Sequence, residues 1–159
     1  SELKVSTCSV ESYEADDVIA TIAAVVASHE GSVVILSTDK VYLQMITERV
    51  VVCDHFGDRV YGREQVEAQL HIPVSQYTDY LALVGDKSNN VKGVPGIGPK
   101  SAVELLQKFE TLELILSSDV DDKLVKKVQG AADEARRCRQ LVQLKTDVEL
   151  GRNLKSFRL

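Results

Sequence analysis

No apolar run in these 159 residues approaches the ~20 needed to cross a bilayer, and the opening Ser1-Glu2-Leu3-Lys4 lacks the layout of a signal peptide. Those absences predict a cytoplasmic chain with no membrane partner. Cysteine is scarce: Cys8, Cys53 and Cys138 are odd in number, far apart and without Cys-x-x-Cys spacing. That argues against a disulfide framework or a zinc site and for reduced thiols. His29, His55 and His71 show neither ligand spacing nor triad partners, and read as surface or loop residues. There is no internal repeat and no low-complexity linker.

What is present is enough for a real core. The chain has a mass of 17.5 kDa and a hydrophobic fraction of 44%, which implies one globular domain or a domain with a helical appendage. Its formal charge of −5 is unevenly spread. Residues 1–85 hold 5 Lys+Arg against 13 Asp+Glu, a net −8, and residues 86–159 hold 14 against 11, a net +3. An acidic half suited to metal cations thus precedes a mildly basic half suited to phosphates.

The pattern to residue 84 is α/β. Leu3, Val5 and Cys8 suggest a short strand, and Ser12 is placed to cap a helix carrying Val18, Ile19, Ile22, Val25 and Val26, which Gly31 ends. Ser32 to Thr38 is a β-branched run of the kind buried on both faces of a parallel sheet. A short helix (41–46), strands at 50–53 and 59–61, and helices at 63–70 and 75–84 follow, with Tyr77 and Tyr80 read as core. From Gly85 strands vanish, and helices are expected at 99–109, 112–116 and about 131–144, with a last extended piece in the tail at 148–150 and 157–159. The fold class expected is therefore a mostly parallel sheet with flanking helices (1–84), then an all-α region (85–159).

Two stretches carry chemistry. In Gly93-Val94-Pro95-Gly96-Ile97-Gly98-Pro99-Lys100-Ser101, Pro95-Gly96 forces a turn, Gly98 stands at a helix N-cap and Pro99 takes the first helical position. The free N–H groups of that first turn, at the positive end of the helix dipole, suit a phosphate. Lys100 adds a movable cation, and Gly96 and Gly98 let a nucleic-acid backbone come close. Gly96, Ile97, Gly98, Pro99, Lys100 and Ser101 are the expected DNA contacts. The second stretch is acidic: Glu14, Asp16 and Asp17 crowd a helix start and Asp39 ends a central strand. Ligands bind at the carboxyl ends of strands in open α/β sheets, and clustered carboxylates recruit hard cations such as Mg²⁺ or Mn²⁺.

Tyr13-Glu14-Ala15-Asp16-Asp17-Val18-Ile19-Ala20, Ser37-Thr38-Asp39-Lys40, Gly85-Asp86-Lys87-Ser88-Asn89-Asn90 and the glycine hairpin, in that order, resemble the motifs of the 5′ nuclease (flap endonuclease) superfamily. Asp54-His55-Phe56 and the closing 141–159 segment resemble its bacterial Xni-type (exonuclease IX) flap endonucleases. The resemblance implies a PIN-like nuclease core, here without its N-terminal part, over 1–84, and a helical DNA-binding region over 85–159 with a helix-hairpin-helix of the three-turn (H3TH) type at 92–110. It implies a monomeric Mg²⁺-dependent hydrolase of DNA phosphodiesters acting on flaps or 5′ ends regardless of base sequence. Asp16, Asp17 and Asp39 would be catalytic, with Glu14 beside them as metal ligands. A K⁺ would rest on the main-chain carbonyls of Leu83, Val84, Lys92, Val94 and Ile97.

Two positions depart from the family pattern: Val41 and Asn89 stand where it carries Asp. One good metal site centred on Asp16 is expected, and a second that is weak or empty. The family's N-terminal strand with its metal-binding Asp and its basic helical arch are not found in these residues. A fragment is therefore expected, one that binds DNA with little or no cleavage. The alternative is a non-catalytic DNA-binding module with a degenerate metal site; a PIN-like ribonuclease is disfavoured by the hairpin. Lys123, Lys126, Lys127, Arg136, Arg137 and Arg139 could extend the phosphate track, but most of them read as a solvated helix face.

Overall fold

The computed structural model describes residues 6–151, 153 and 155. The chain divides into two units: the stretch to Gly62 together with that from Leu144 on, and Arg63–Gln143. Leu3, Val5 and 157–159 lie outside the described residues.

In the first unit, helix α1 (Ala15–Ser28) is followed by strand β1 (Val33–Leu36), a 3₁₀ helix (Lys40–Met45), strand β2 (Val50–Asp54) and strand β3 (Arg59–Tyr61). The sheet order is β1-β2-β3, with β1 parallel to β2 and β3 antiparallel to it. Val18, Ala20 and Ala23 of α1 are buried, as are Ile35, Val50 and Val52 of the sheet. The expectation that β1 is buried on both faces is overturned: Ile35 is buried, but Val34 and Leu36 are 61% and 68% exposed. Alternate side chains of a strand leave opposite faces, and one face of β1 is open among the described residues.

Both ends of α1 also differ from the sequence reading. Ser12 does not cap the helix; it takes a left-handed φ of 68°, and Glu14 holds the N-cap position without a side-chain bond. At the other end Glu30, not Gly31, turns the chain with a φ of 64°, and the Glu30 and Gly31 N–H groups bond Ala27 and Val26 oxygens. After Leu144 the chain returns along α1: Thr21 Oγ1 donates to the Lys145 carbonyl and accepts the Val148 N–H. The expected extended piece at 148–150 forms no strand.

The second unit is helical: α2 (Arg63–Leu70), a 3₁₀ turn (Val74–Gln76), α3 (Tyr77–Val84), α4 (Pro99–Phe109), α5 (Leu112–Ser117), α6 (Lys123–Gly130) and α7 (Ala132–Val142). Leu83, Leu106, Leu112, Ile115, Val125, Val128 and Val142 are buried in its core. Asp79 ties three helices: Oδ1 takes the Arg139 Nε–H of α7 at 2.6 Å and Oδ2 the Leu112 N–H of α5 at 2.9 Å. Helix α6 begins where Asp122 accepts the Leu124 and Val125 N–H groups, and those bonds hold its carboxyl below the usual range. No helix among the described residues is long and apolar enough to cross a membrane.

Candidate functional site

The acidic residues sit at the α1 start and just past β1. Asp39 accepts the Val41 N–H at 2.9 Å, while its own N–H donates to Ser37 Oγ at 3.0 Å. This short turn starts the 3₁₀ helix and points the next residues inward, burying Val41, Tyr42 and Leu43. The position where the resemblance calls for a second Asp is thus a core valine, 3% exposed.

Tyr42 is the residue that the sequence reading missed. Its phenol donates to Asp16 Oδ1 at 2.6 Å, and the residue is 3% exposed. Burial pushes the phenol's pKa above its ordinary value, followed by the Asp16 hydrogen bond and the charges of Asp16, Asp39 and Asp17. One hydroxyl therefore feels three of the four acids named from sequence and stays a donor. Asp17 is also engaged, accepting the Lys145 N–H at 2.8 Å, so it ties the returning chain to α1. Glu14 is exposed.

Among the described residues no group of three or more His, Cys, Asp or Glu side chains is placed to hold an ion. Asp16 and Asp39 each spend one oxygen on a hydrogen bond. Two carboxylates suit a Mg²⁺ that keeps most of its waters, and do not make an all-protein cage. Asp86 offers still less: Oδ1 accepts the Ser88 N–H and Oδ2 the Asn89 Nδ2–H, at 3.0 and 2.8 Å. Asn89 donates where an Asp would repel, so this pair satisfies itself.

The hairpin is built on backbone. Gly85 ends α3 with φ 85°, and Asp86 and Val91 exchange two main-chain bonds of 2.8 Å. Val94 N–H then bonds the Leu83 oxygen, and Ile97 N–H the Val94 oxygen. Gly93, at φ 71°, is indispensable: a Cβ there would stand 2.4 Å from the Gly85 nitrogen and 2.7 Å from the Leu83 oxygen. That lack of a side chain draws the carbonyls of 83–84 and 92–94 into one turn.

Gly96 makes the next bend with φ 77°. Gly98 is the extended N-cap of α4, Pro99 its first residue, and the first helical bond is Ala102 N–H to the Gly98 oxygen. The Lys100 and Ser101 N–H groups precede that bond and have no helical acceptor. Gly98, Pro99 and Lys100 are exposed, and a Cβ at Gly98 would meet nothing within 4 Å. The approach to this helix start is open. Of the other cations, Arg136 is paired with Glu113, Arg139 with Asp79 and Lys126 with Asp121; Lys127 Nζ lies 3.4 Å from the Gly96 oxygen.

Comparison with known proteins matches these two stretches separately. Residues 1–71 match the 5′-3′ exonuclease N-terminal resolvase-like domain, and residues 72–159 the 5′-3′ exonuclease C-terminal SAM fold. A flap endonuclease Xni of Shewanella pealeana is 47% identical over 148 residues, 92% of this chain and 58% of that protein. Its counterpart in Shewanella woodyi is 44% identical over all of this chain and 64% of its own length. The chain thus spans about six-tenths of the length of these relatives. Among solved structures, a T5 5′-exonuclease with bound divalent zinc ions aligns with a TM-score of 0.76 at 24% identity, over 86% of this chain and 52% of that one. A bacteriophage T5 flap endonuclease in a pseudo-enzyme-product complex with DNA and metal ions aligns at 0.75 and 23%, over 84% and 50%. These likenesses establish the fold, and the two family matches meet end to end across the sequence: the chain belongs to the 5′-3′ exonuclease family.

Proposed function

We propose that the protein to which these residues belong is a structure-specific 5′ flap endonuclease and 5′-3′ exonuclease that hydrolyses DNA phosphodiesters with Mg²⁺ or Mn²⁺. The observation that carries this reading is the solvent-open helix start at Gly98–Lys100, whose N–H groups and adjacent ammonium suit a phosphate of any base sequence. The names of the Shewanella relatives support flap cutting as the reaction.

In this reading Asp16 and Asp39 would hold the divalent ion, with Asp17 and Glu14 beside them. When bound, such an ion lowers the pKa of water and offsets charge on the phosphodiester. Tyr42 keeps the Asp16 carboxylate in one orientation, and Asp39 is fixed by its own turn. The carbonyls of Leu83, Val84, Lys92, Val94 and Ile97 would hold a K⁺, whose charge would favour a phosphate at the turn. Leu83 and Val94 already accept one hydrogen bond each, and a carbonyl oxygen has a second lone pair for an ion. Gly96, Ile97, Gly98, Pro99, Lys100 and Ser101 meet the DNA backbone, and the protein acts as a monomer.

Combining Lys100→Ala with Gly98→Val is expected to weaken binding of a 5′-flapped duplex about tenfold or more at moderate salt, read by fluorescence anisotropy. No loss would reject the hairpin as the grip. A second reading, a DNA-binding module with a degenerate metal site, is favoured by the self-satisfied Asp86–Asn89 pair and the buried Val41. Titrating Mn²⁺ into the full-length protein and its Asp16→Ala variant separates the two: equal Mn²⁺ binding by both, with equal cleavage, would eliminate the enzyme reading. The 159 residues alone are expected to bind flapped DNA and cut it little or not at all.

A further inference from the structure

Helix α6 turns Val125 and Val128 into the core, which leaves Lys123, Lys126 and Lys127 exposed on the other side. With Asp121 they line a surface groove of about 470 Å³. Lys126 is paired with Asp121, whereas Lys123 and Lys127 make no ion pair among the described residues. Residues four apart share a helix face, so Lys123 and Lys127 lie on the same side of α6.

Lys127 reaches the hairpin. Its Nζ is 3.4 Å from the Gly96 carbonyl oxygen, and a Cβ at Gly96 would stand 2.9 Å from that nitrogen. An ammonium has three donors, so the Gly96 contact leaves two unused. At 3.4 Å and exposed to solvent the contact adds little to stability, because long exposed bonds of this kind are readily exchanged for water. Its consequence is positional: it parks a cation beside the turn that leads into the open Gly98–Lys100 helix start. Arg136 and Arg139 are instead paired with Glu113 and Asp79.

We propose that α6 is a second phosphate-binding edge of the hairpin interface, with Lys127 and Lys123 taking successive phosphates of the DNA strand whose backbone rests on Gly96–Lys100. The proposal rests on the hairpin being a DNA grip and adds residues from a helix that the hairpin motif does not contain. Recognition at this edge is purely electrostatic: it extends the duplex length covered and the salt dependence, and adds no base preference.

The test measures binding of a 5′-flapped duplex across a salt series for the parent, Lys123→Gln/Lys127→Gln, Lys127→Arg and Lys100→Ala, with a melting curve for each. The double variant should lower the slope of log K against log salt by roughly 1.8, about 0.9 for each lost phosphate contact, with affinity down about tenfold and the melting temperature unchanged. Lys127→Arg, which keeps the charge, should retain the parent slope. A parent-like slope in the double variant while Lys100→Ala weakens binding would overturn the second edge and leave the hairpin reading intact. A lower melting temperature with an unchanged slope would overturn it as well, making Lys127 a structural tie. If Lys100→Ala has no effect either, the hairpin reading falls with the proposal.

Discussion

The acidic site and the hairpin differ in what their polar groups do at rest. Around α1 and β1 three of the four acids are engaged: Asp16 by the Tyr42 phenol, Asp17 by the Lys145 N–H, Asp39 by the Val41 N–H. At the start of α4 the Lys100 and Ser101 N–H groups precede the first helical bond, and Gly98 has open space before it. A site made of backbone is complete once a turn has the right glycines. A site made of side chains is complete only when tertiary partners hold each carboxylate at a fixed angle. The first should therefore respond to changes of shape, and the second to the loss of single hydrogen bonds.

The contrast breaks most severely at Gly93. Gly93→Val puts a branched side chain into a left-handed φ with the Gly85 nitrogen 2.4 Å from its Cβ. A loss of about 3 kcal/mol is expected in urea unfolding, together with flap binding; parent-like values for both would show that the turn can reopen. Asp79→Ala should cost nearly as much without touching the hairpin. Breaking a buried pair costs about 3–5 kcal/mol, but Arg139 is 43% exposed and can rehydrate, so the lower end, about 3 kcal/mol, applies. The same denaturation experiment reads it.

Tyr42→Phe sharpens the other side. It removes one hydrogen bond to a part-exposed carboxylate, for a stability loss of about 1.5 kcal/mol. Mn²⁺ affinity, measured by calorimetry, should fall about tenfold, as it does when a group that orients a metal ligand is lost; unchanged affinity would mean that Tyr42 is only core. The smallest effect belongs to Gly98→Asp. An Asp at this extended N-cap should raise stability by about 0.5 kcal/mol, since no side chain caps the helix now. Flap binding should weaken nonetheless, because the new charge repels phosphate. Tighter binding would place the DNA elsewhere.

Much of this was legible in the sequence, wherever the signal was local. Pro99 does open α4, and the strands at 50–54 and 59–61 stand where β-branched residues put them. Tyr42 and Asp79 were not legible, because their partners lie 26 and 60 residues away and a lone tyrosine or helical acid carries no mark of them. Helix α6 was legible but passed over: Asp122 before Lys123-Leu124-Val125, with Val128 three residues further on, is a cap followed by an apolar face. Ser12 misled because a serine ahead of a helix reads as a cap, whereas here the backbone turns left-handed at that point. The double-sided burial of β1 also failed, since an unbroken apolar strand reads alike whether or not its second face is covered.

That half-bare strand has a practical consequence. Val33-Val34-Ile35-Leu36 carries no charge and no proline, and among the described residues it pairs with a neighbour on one flank only. Such ribbons recruit copies of themselves edge to edge. The apparent mass of these residues from light scattering should rise with concentration, and Val34→Lys should hold it at the monomer value without lowering the melting temperature.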